Sequence, residues 1–375
     1  MIPYIVVFIL NFLFASLAEK CYARQHFMYL CSMLFIVVLD TIFIGLRDFG
    51  VGIDTTLYID EYFNVAKYTN SIHDLIFLEN YDKGYVILAK ISSIVSTQSQ
   101  SLMLLTELLI ISFTVLAVNE YKKILNINIP IFITLYWLLY LCHSENLMRQ
   151  YCAMSMLFYG FSLYMQDKRL SYCILQVIAY FFHSSSVLFL LIPVFYELSK
   201  MKRIRLKWII SIIFIIMLVL SLFLYYYLLT KIGSWNIFKD VYSERYGQGS
   251  VYEHEGRISI GLRYILQSIV PFLMLIQAYR KKVFASNIIY FFTVLFFSMI
   301  ILEQFRFVMI YMFRISHYIG IVWIVYQSLM FSNMKISINL KIIYIFVLVA
   351  SFYLGFMKEN EMGWSYWYTS KILGI

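Results

Sequence analysis

The chain alternates long apolar runs with short polar links, and the runs have the length of membrane helices. A hydrocarbon core of about 30 Å takes about 17–25 mostly apolar helical residues to cross. Such runs are predicted at roughly 1–18, 27–46, 101–119, 127–142, 150–165, 171–182, 185–198, 208–230, 263–279, 284–302, 307–331 and 340–357. The short pair at 171–182 and 185–198 flanks Phe181-Phe182-His183-Ser184-Ser185-Ser186 and predicts a bent hairpin. Gly84 to Val95 is shorter still and reads as a re-entrant or interfacial element, which needs shelter from lipid. The expectation is an all-α polytopic bundle of about 12 transmembrane helices (about 10–14), one integral membrane domain over 1–375, with both termini outside.

Composition agrees. Hydrophobic residues make up 62% and charged ones 14%, with mean hydropathy +0.77, against about 25% charged in a soluble globule. Met1 to Ala18 lacks a basic start and a small-residue cleavage site, so it reads as a first span and not a cleaved signal. The five cysteines are odd in number and show no C-x-x-C pair, which speaks against a disulfide framework or a zinc site.

The net charge of +9 changes meaning once it is placed along the chain. The links at Lys20/Arg24, Lys122/Lys123, Lys168/Arg169, Lys200–Lys207, Arg280–Lys282 and Lys335/Lys341 hold 16 of the 30 basic residues and only four acids. The rest of the chain is slightly acidic. By the positive-inside rule these links are cytoplasmic, so the basicity is topological and no nucleic acid partner is expected. Two longer polar connections then fall outside, at about 47–100 and 231–262. Long loops are uncommon unless functional or disordered, so the chemistry is expected there.

That outer face gathers arginines at span ends: Arg47, Arg149, Arg263, Arg306 and Arg314. A guanidinium offers forked donors and stays charged, which suits phosphate; several together would clamp a pyrophosphate. The plain alternative for each is snorkelling to headgroups or pairing with a nearby acid. Asp48 and Asp54 are candidate bases or sugar ligands, or else they neutralise Arg47 and order the turn at Gly50 and Gly52. Glu79, Asp82 and Gly84-Tyr85 form a second acidic cluster on the same face. His183 suits acid–base work near neutral pH, or is a hydrogen-bonded structural residue. Its three serines explain a helix break without catalysis. Trp235, Tyr246 and Tyr252 could stack on sugar rings, although aromatic belts at the lipid interface are the default. Asp40, Glu107 and Glu303 lie in or at the ends of apolar spans without a relay pattern. Neither a nucleophile elbow nor a nucleotide- or metal-binding fingerprint is present, so neither cofactor nor metal is expected.

The ordered elements Arg47-Asp48-Phe49-Gly50-Val51-Gly52-Ile53-Asp54-Thr55 with Tyr58, then Gly84-Tyr85, Asn146-Leu147-Met148-Arg149-Gln150, Phe182-His183-Ser184-Ser185-Ser186 and Arg314-Ile315-Ser316-His317-Tyr318 carry a resemblance. The chain resembles the EpsG family, which belongs with the Wzy-type O-antigen and capsular polysaccharide polymerases. It departs from the pattern where Thr55 and Thr56 replace an aromatic residue after Asp54, and where Cys152 replaces an alanine after Arg149-Gln150. The resemblance implies a glycosyltransferase at the outer face of the bacterial cytoplasmic membrane. It would polymerise oligosaccharide repeat units carried on undecaprenyl pyrophosphate into O-antigen, capsule or exopolysaccharide. Catalytic roles then fall to Arg149, His183 and Asp54, and substrate contacts to Arg47, Asp48, Arg263, Arg314 and Tyr318. Membrane lipid, a chain-length regulator and a flippase are the implied partners. Two other readings share the outer arginines: another lipid-linked sugar transferase such as an O-antigen ligase, and a lipid-linked oligosaccharide flippase. A flippase would be expected to show similar halves and a polar central path.

Overall fold

The computed structural model describes residues 1–52, 55–69, 71–76, 81–203, 205–206, 208–213, 215–217, 219–220, 262–305, 310–361 and 367–374. They are mostly helical, with no strand among the described residues. The chain divides into two compact units, Met1–Val187 with Ile324–Ile375, and Leu188–Trp323.

In the first unit α1 (Ile2–Cys21) and α2 (His26–Gly45) form an antiparallel pair. Then come a π-helical turn (Thr55–Ile59), α3 (Asp60–Tyr68), α4 (Ile72–Ile76) and α5 (Lys83–Val95). The long α6 (Gln100–Leu125) and then α7 (Ile129–Asn146), α8 (Met148–Tyr164) and α9 (Arg169–Phe182) follow. Local chemistry sets several ends. Asn126 closes α6 in the left-handed region. Asn128 caps α7 by accepting from the Ile131 amide at 3.0 Å, with Pro130 just inside, where its missing donor costs nothing.

α8 is the centre of this unit, packed between α6 and α9, with Cys152, Ala153, Met154, Leu157 and Phe158 all buried. α1, α2, α9 and α14 (Ile338–Glu361) instead turn residues such as Leu13, Leu34, Val177 and Phe346 outward. An exposed apolar stripe suits helices whose outer neighbour is lipid.

One end of the unit is basic. Lys122 Nζ donates to Glu19 at 2.5 Å and lies over the Tyr22 ring, Gln166 donates to Glu120, and Asn128 exchanges hydrogen bonds with Ser328. The links around Lys20/Arg24, Lys122/Lys123 and Lys168/Arg169 therefore share one face. Tyr4, Leu46–Asp48, Gln100, Glu145 and Tyr368 meet at the other.

In the second unit α10 (Leu191–Lys200) packs on α12 (Ser286–Phe305), which also meets α11 (Leu262–Arg280). Tyr196 meets Phe291 edge-on, and Phe272 stacks on Phe296. α13 (Ile310–Ser332) crosses the division between the units.

Most predicted spans lie within two or three residues of these helices, and the chain breaks after Phe182 into a 3₁₀ segment, Ser184–Leu190. The stretch 47–100 is helical over much of its described length. Among the described residues six helices are long and apolar enough, by length and composition, to cross a membrane. α7 and α8 abut through Glu145-Asn146-Leu147-Met148-Arg149-Gln150, and burial inside protein spares them a continuous apolar surface. The predicted loop at 231–262 lies outside the described residues except for Leu262.

Candidate active site

The Arg47 loop is a buried junction. Val51 donates to the Asp48 carbonyl at 2.9 Å, closing a turn, and Gly52 follows at φ +89. A Cβ there would be strained by that φ, and would stand 3.0 Å from both Asn146 Oδ1 and the Glu145 carbonyl oxygen. Arg47 is 0% exposed. Its guanidinium donates to the carbonyls of Val51 (3.2 Å), Ile44 (2.5 Å) and Glu145 (3.0 Å), and lies 3.5 Å from Glu107 Oε1.

In the structure its donors tie α2 to α6 and α7. The acid facing it is Glu107, not Asp48. Asp48 accepts instead from the Lys371 amide at 3.0 Å, while its own amide donates to Thr369. It anchors the C-terminal segment, whose Tyr368 stacks on Phe43 at 4.2 Å.

A second, more open cluster forms where the ends of α5, α8 and α9 meet. Arg149 Nη1 donates to Asp82 Oδ2 at 2.6 Å and to the Tyr62 hydroxyl at 2.8 Å. Its guanidinium carbon lies 4.4 Å from the Tyr58 ring centroid and 5.3 Å from that of Tyr62, within cation–π range. His183 Nδ1 stands 3.8 Å from the same Asp82 oxygen. Arg149, Asp82 and His183 keep 22%, 23% and 22% of their side-chain surface open, which leaves a ligand room to reach them.

Gly84 brings these helices together. A Cβ there would come within 2.7 Å of the Phe182 ring and 3.0 Å of the Phe181 backbone. Tyr62 also accepts from the Asp82 amide at 3.2 Å and meets Tyr81 and Tyr85 edge-on.

Electrostatics favour an ionised Asp82. Burial raises its carboxyl pKa, but the imidazole of His183 and the positive charge of Arg149 outweigh that and leave it below its ordinary value. Burial pushes the Tyr62 phenol up, against the pull of Arg149. Tyr81 is pushed up to about 12 by its hydrogen bond to Glu61.

Of the predicted site residues, Arg149 and His183 converge through Asp82. Tyr318 is 1% exposed and meets Phe189 edge-on. Arg314 is half-buried on α13. Asp54, Glu79, Arg306, Trp235, Tyr246 and Tyr252 lie outside the described residues, as does the side chain of Arg263 in the first turn of α11.

The acids within spans have structural partners: Asp40 accepts from Asn11 at 2.5 Å, Glu107 faces Arg47, and Glu303 accepts from Ser316. No three His, Cys, Asp or Glu side chains among the described residues are placed to hold a metal. Sequence reasoning missed Tyr62 and kept Asp82 only as part of an acidic cluster. The one local signal was Asp82 standing two residues before Gly84 at the start of a short helix.

A family model described as the EpsG family matches residues 28–369. The chain belongs to the EpsG family. The match takes in the Arg47 loop, Asp82, Arg149, His183 and Arg314. No curated protein and no solved structure matches the chain. EpsG proteins are associated with polysaccharide polymerases, so this chain has a membrane polysaccharide polymerase type of function.

Proposed function

We propose that this EpsG-family chain is a membrane glycosyltransferase that joins oligosaccharide repeat units carried on undecaprenyl pyrophosphate. The observation that carries the reading is the Arg149 cluster: a forked cation, half-open and flanked by a carboxylate, an imidazole and two phenols. Within the first unit it lies at the end opposite the links at Lys20/Arg24, Lys122/Lys123 and Lys168/Arg169. With those links cytoplasmic by the positive-inside rule, the cluster faces outward at the cytoplasmic membrane.

In the proposed reaction an acceptor sugar hydroxyl attacks the anomeric carbon of the donor. The new glycosidic bond forms as the bond to the lipid diphosphate breaks, and the diphosphate leaves with the electron pair. Arg149 stabilises the charge developing there, which is where preorganised donors contribute most. His183 takes the hydroxyl proton. Arg314 and Arg263 are proposed as further phosphate ligands and Asp54 as a second candidate base. Arg47 keeps the fold.

The test is the size distribution of surface polysaccharide in a deletion strain, with and without the gene restored. Loss of the long ladder with single repeat units still delivered supports a polymerase. Polymer retained on its lipid carrier but absent from lipid A would favour a ligase. Lipid-linked units accumulating inside the cell would favour a flippase.

A further inference from the structure

Asp82 occupies the cap position of α5, where an aspartate ordinarily accepts from its own helix amides. Here the side chain makes no such bond. Its carboxylate is turned to two residues from other elements: Oδ2 accepts from Arg149 Nη1 at 2.6 Å and stands at ion-pair distance, 3.8 Å, from His183 Nδ1. The His183 Nδ1 atom is closed to solvent although the side chain keeps 22% of its surface, so the open part of the ring lies away from Nδ1. Tyr62 holds the assembly from behind, accepting from both Arg149 and the Asp82 amide. Among the described residues, Arg149 of α8 meets Tyr58, Tyr62 and Asp82, and Tyr62 meets Tyr81 and Tyr85. Asp82 is the carboxylate that faces both Arg149 and His183.

We propose that Asp82 is a positioning residue whose charge faces His183 from the Nδ1 side, favours the proton there, leaves Nε2 as the proton-accepting nitrogen, and keeps Arg149 in register with it. The role within glycosyl transfer rests on the function proposed above. The geometry also makes a claim about the protein at rest. An anion beside Nδ1 selects the tautomer protonated there and strengthens the base at the other nitrogen. Arg149 works against that strengthening and also sets the place where the diphosphate would sit. One carboxylate thus fixes the base and the anion ligand relative to each other.

The experiment is nitrogen and carbon NMR of the full chain in detergent with labelled histidine. His183→Gln identifies the His183 signal among six histidines. In the wild type the neutral ring is expected as the Nδ1–H tautomer. Asp82→Asn should lower its titration midpoint by about one pH unit, and Asp82→Glu should recover most of that. The pH–rate profile of polymerisation should move with the midpoint, with kcat reduced about tenfold or more in Asp82→Asn.

A neutral ring protonated at Nε2 in the wild type overturns the proposal, even should Asp82→Asn fail to fold. So does an unchanged midpoint in Asp82→Asn, or a loss confined to KM with the profile in place. Titration needs no turnover, so a chain that makes no polymer would sink the proposed function and leave Asp82 to be judged by the NMR alone.

Discussion

Arg149 donates to Asp82 at 2.6 Å across 67 residues of sequence, and this pair joins the first turn of α8 to the cap of α5. Both groups keep about a fifth of their surface open, so the pair can exchange partners with an incoming anion. Arg149→Ala should abolish polymerisation while the protein remains in the membrane. Arg149→Lys should recover little, because an ammonium lacks the planar fork. Polymer yield against membrane-fraction protein reads both, and a normal ladder from Arg149→Ala would remove it from the mechanism.

Arg314 sits at the fifth position of α13, half-buried in a mostly apolar helix. A cation at such a place is costly and is kept for a reason. Arg314→Ala should remove polymer without loss of membrane-inserted protein. Unchanged polymer would confine Arg314 to structure.

Arg47 and Glu107 are a different case, since both are closed to solvent. Arg47→Met leaves Glu107 buried without its cation and should cost roughly 3–5 kcal/mol. Pairing it with Glu107→Gln should recover part of that. Thermal unfolding of the purified variants measures it. Full stability in Arg47→Met with polymer lost would instead return Arg47 to the substrate.

Gly84 is tested by Gly84→Ala. Its Cβ would meet the Phe182 ring at 2.7 Å and the Phe181 backbone at 3.0 Å. Overpacking of this kind costs about 1–3 kcal/mol, and the shift would carry Asp82 away from His183. Lower melting temperature and lower activity should appear together. A variant with wild-type values of both would mean that α5 and α9 yield without cost.

Asp82 also makes stability depend on pH, with a definite sign. Its folded-state carboxyl titrates below the ordinary aspartate value. The stabilisation is therefore present above about pH 4, the unfolded value, and is lost as pH falls through the lower folded value. Asp82→Asn should be less stable than wild type at pH 7, with the gap closing below about pH 4. Melting curves across pH 3–7 would show it, and a gap independent of pH would contradict the assignment.

The sequence by itself determined the long helices. Apolar runs of about 20 residues bounded by basic links are a one-dimensional signal, because lipid demands it of every outward face. The break at His183 and the short Lys83–Val95 helix follow from the same reading. The sequence motifs also brought Arg149 and His183 forward.

Only the tertiary structure decided what each charged residue does. Arg47 and Arg149 read alike along the chain, both arginines at span ends. One is sealed against Glu107, 60 residues away; the other is held half-open by Asp82 and Tyr62. Asp48, with its place in the leading motif, was drawn to the C-terminal segment, while Asp82 from the lesser cluster became the link to His183. Burial and ion pairing depend on which helices pack together. That packing was set by contacts such as Gly84 on Phe182, which leave no local trace in sequence.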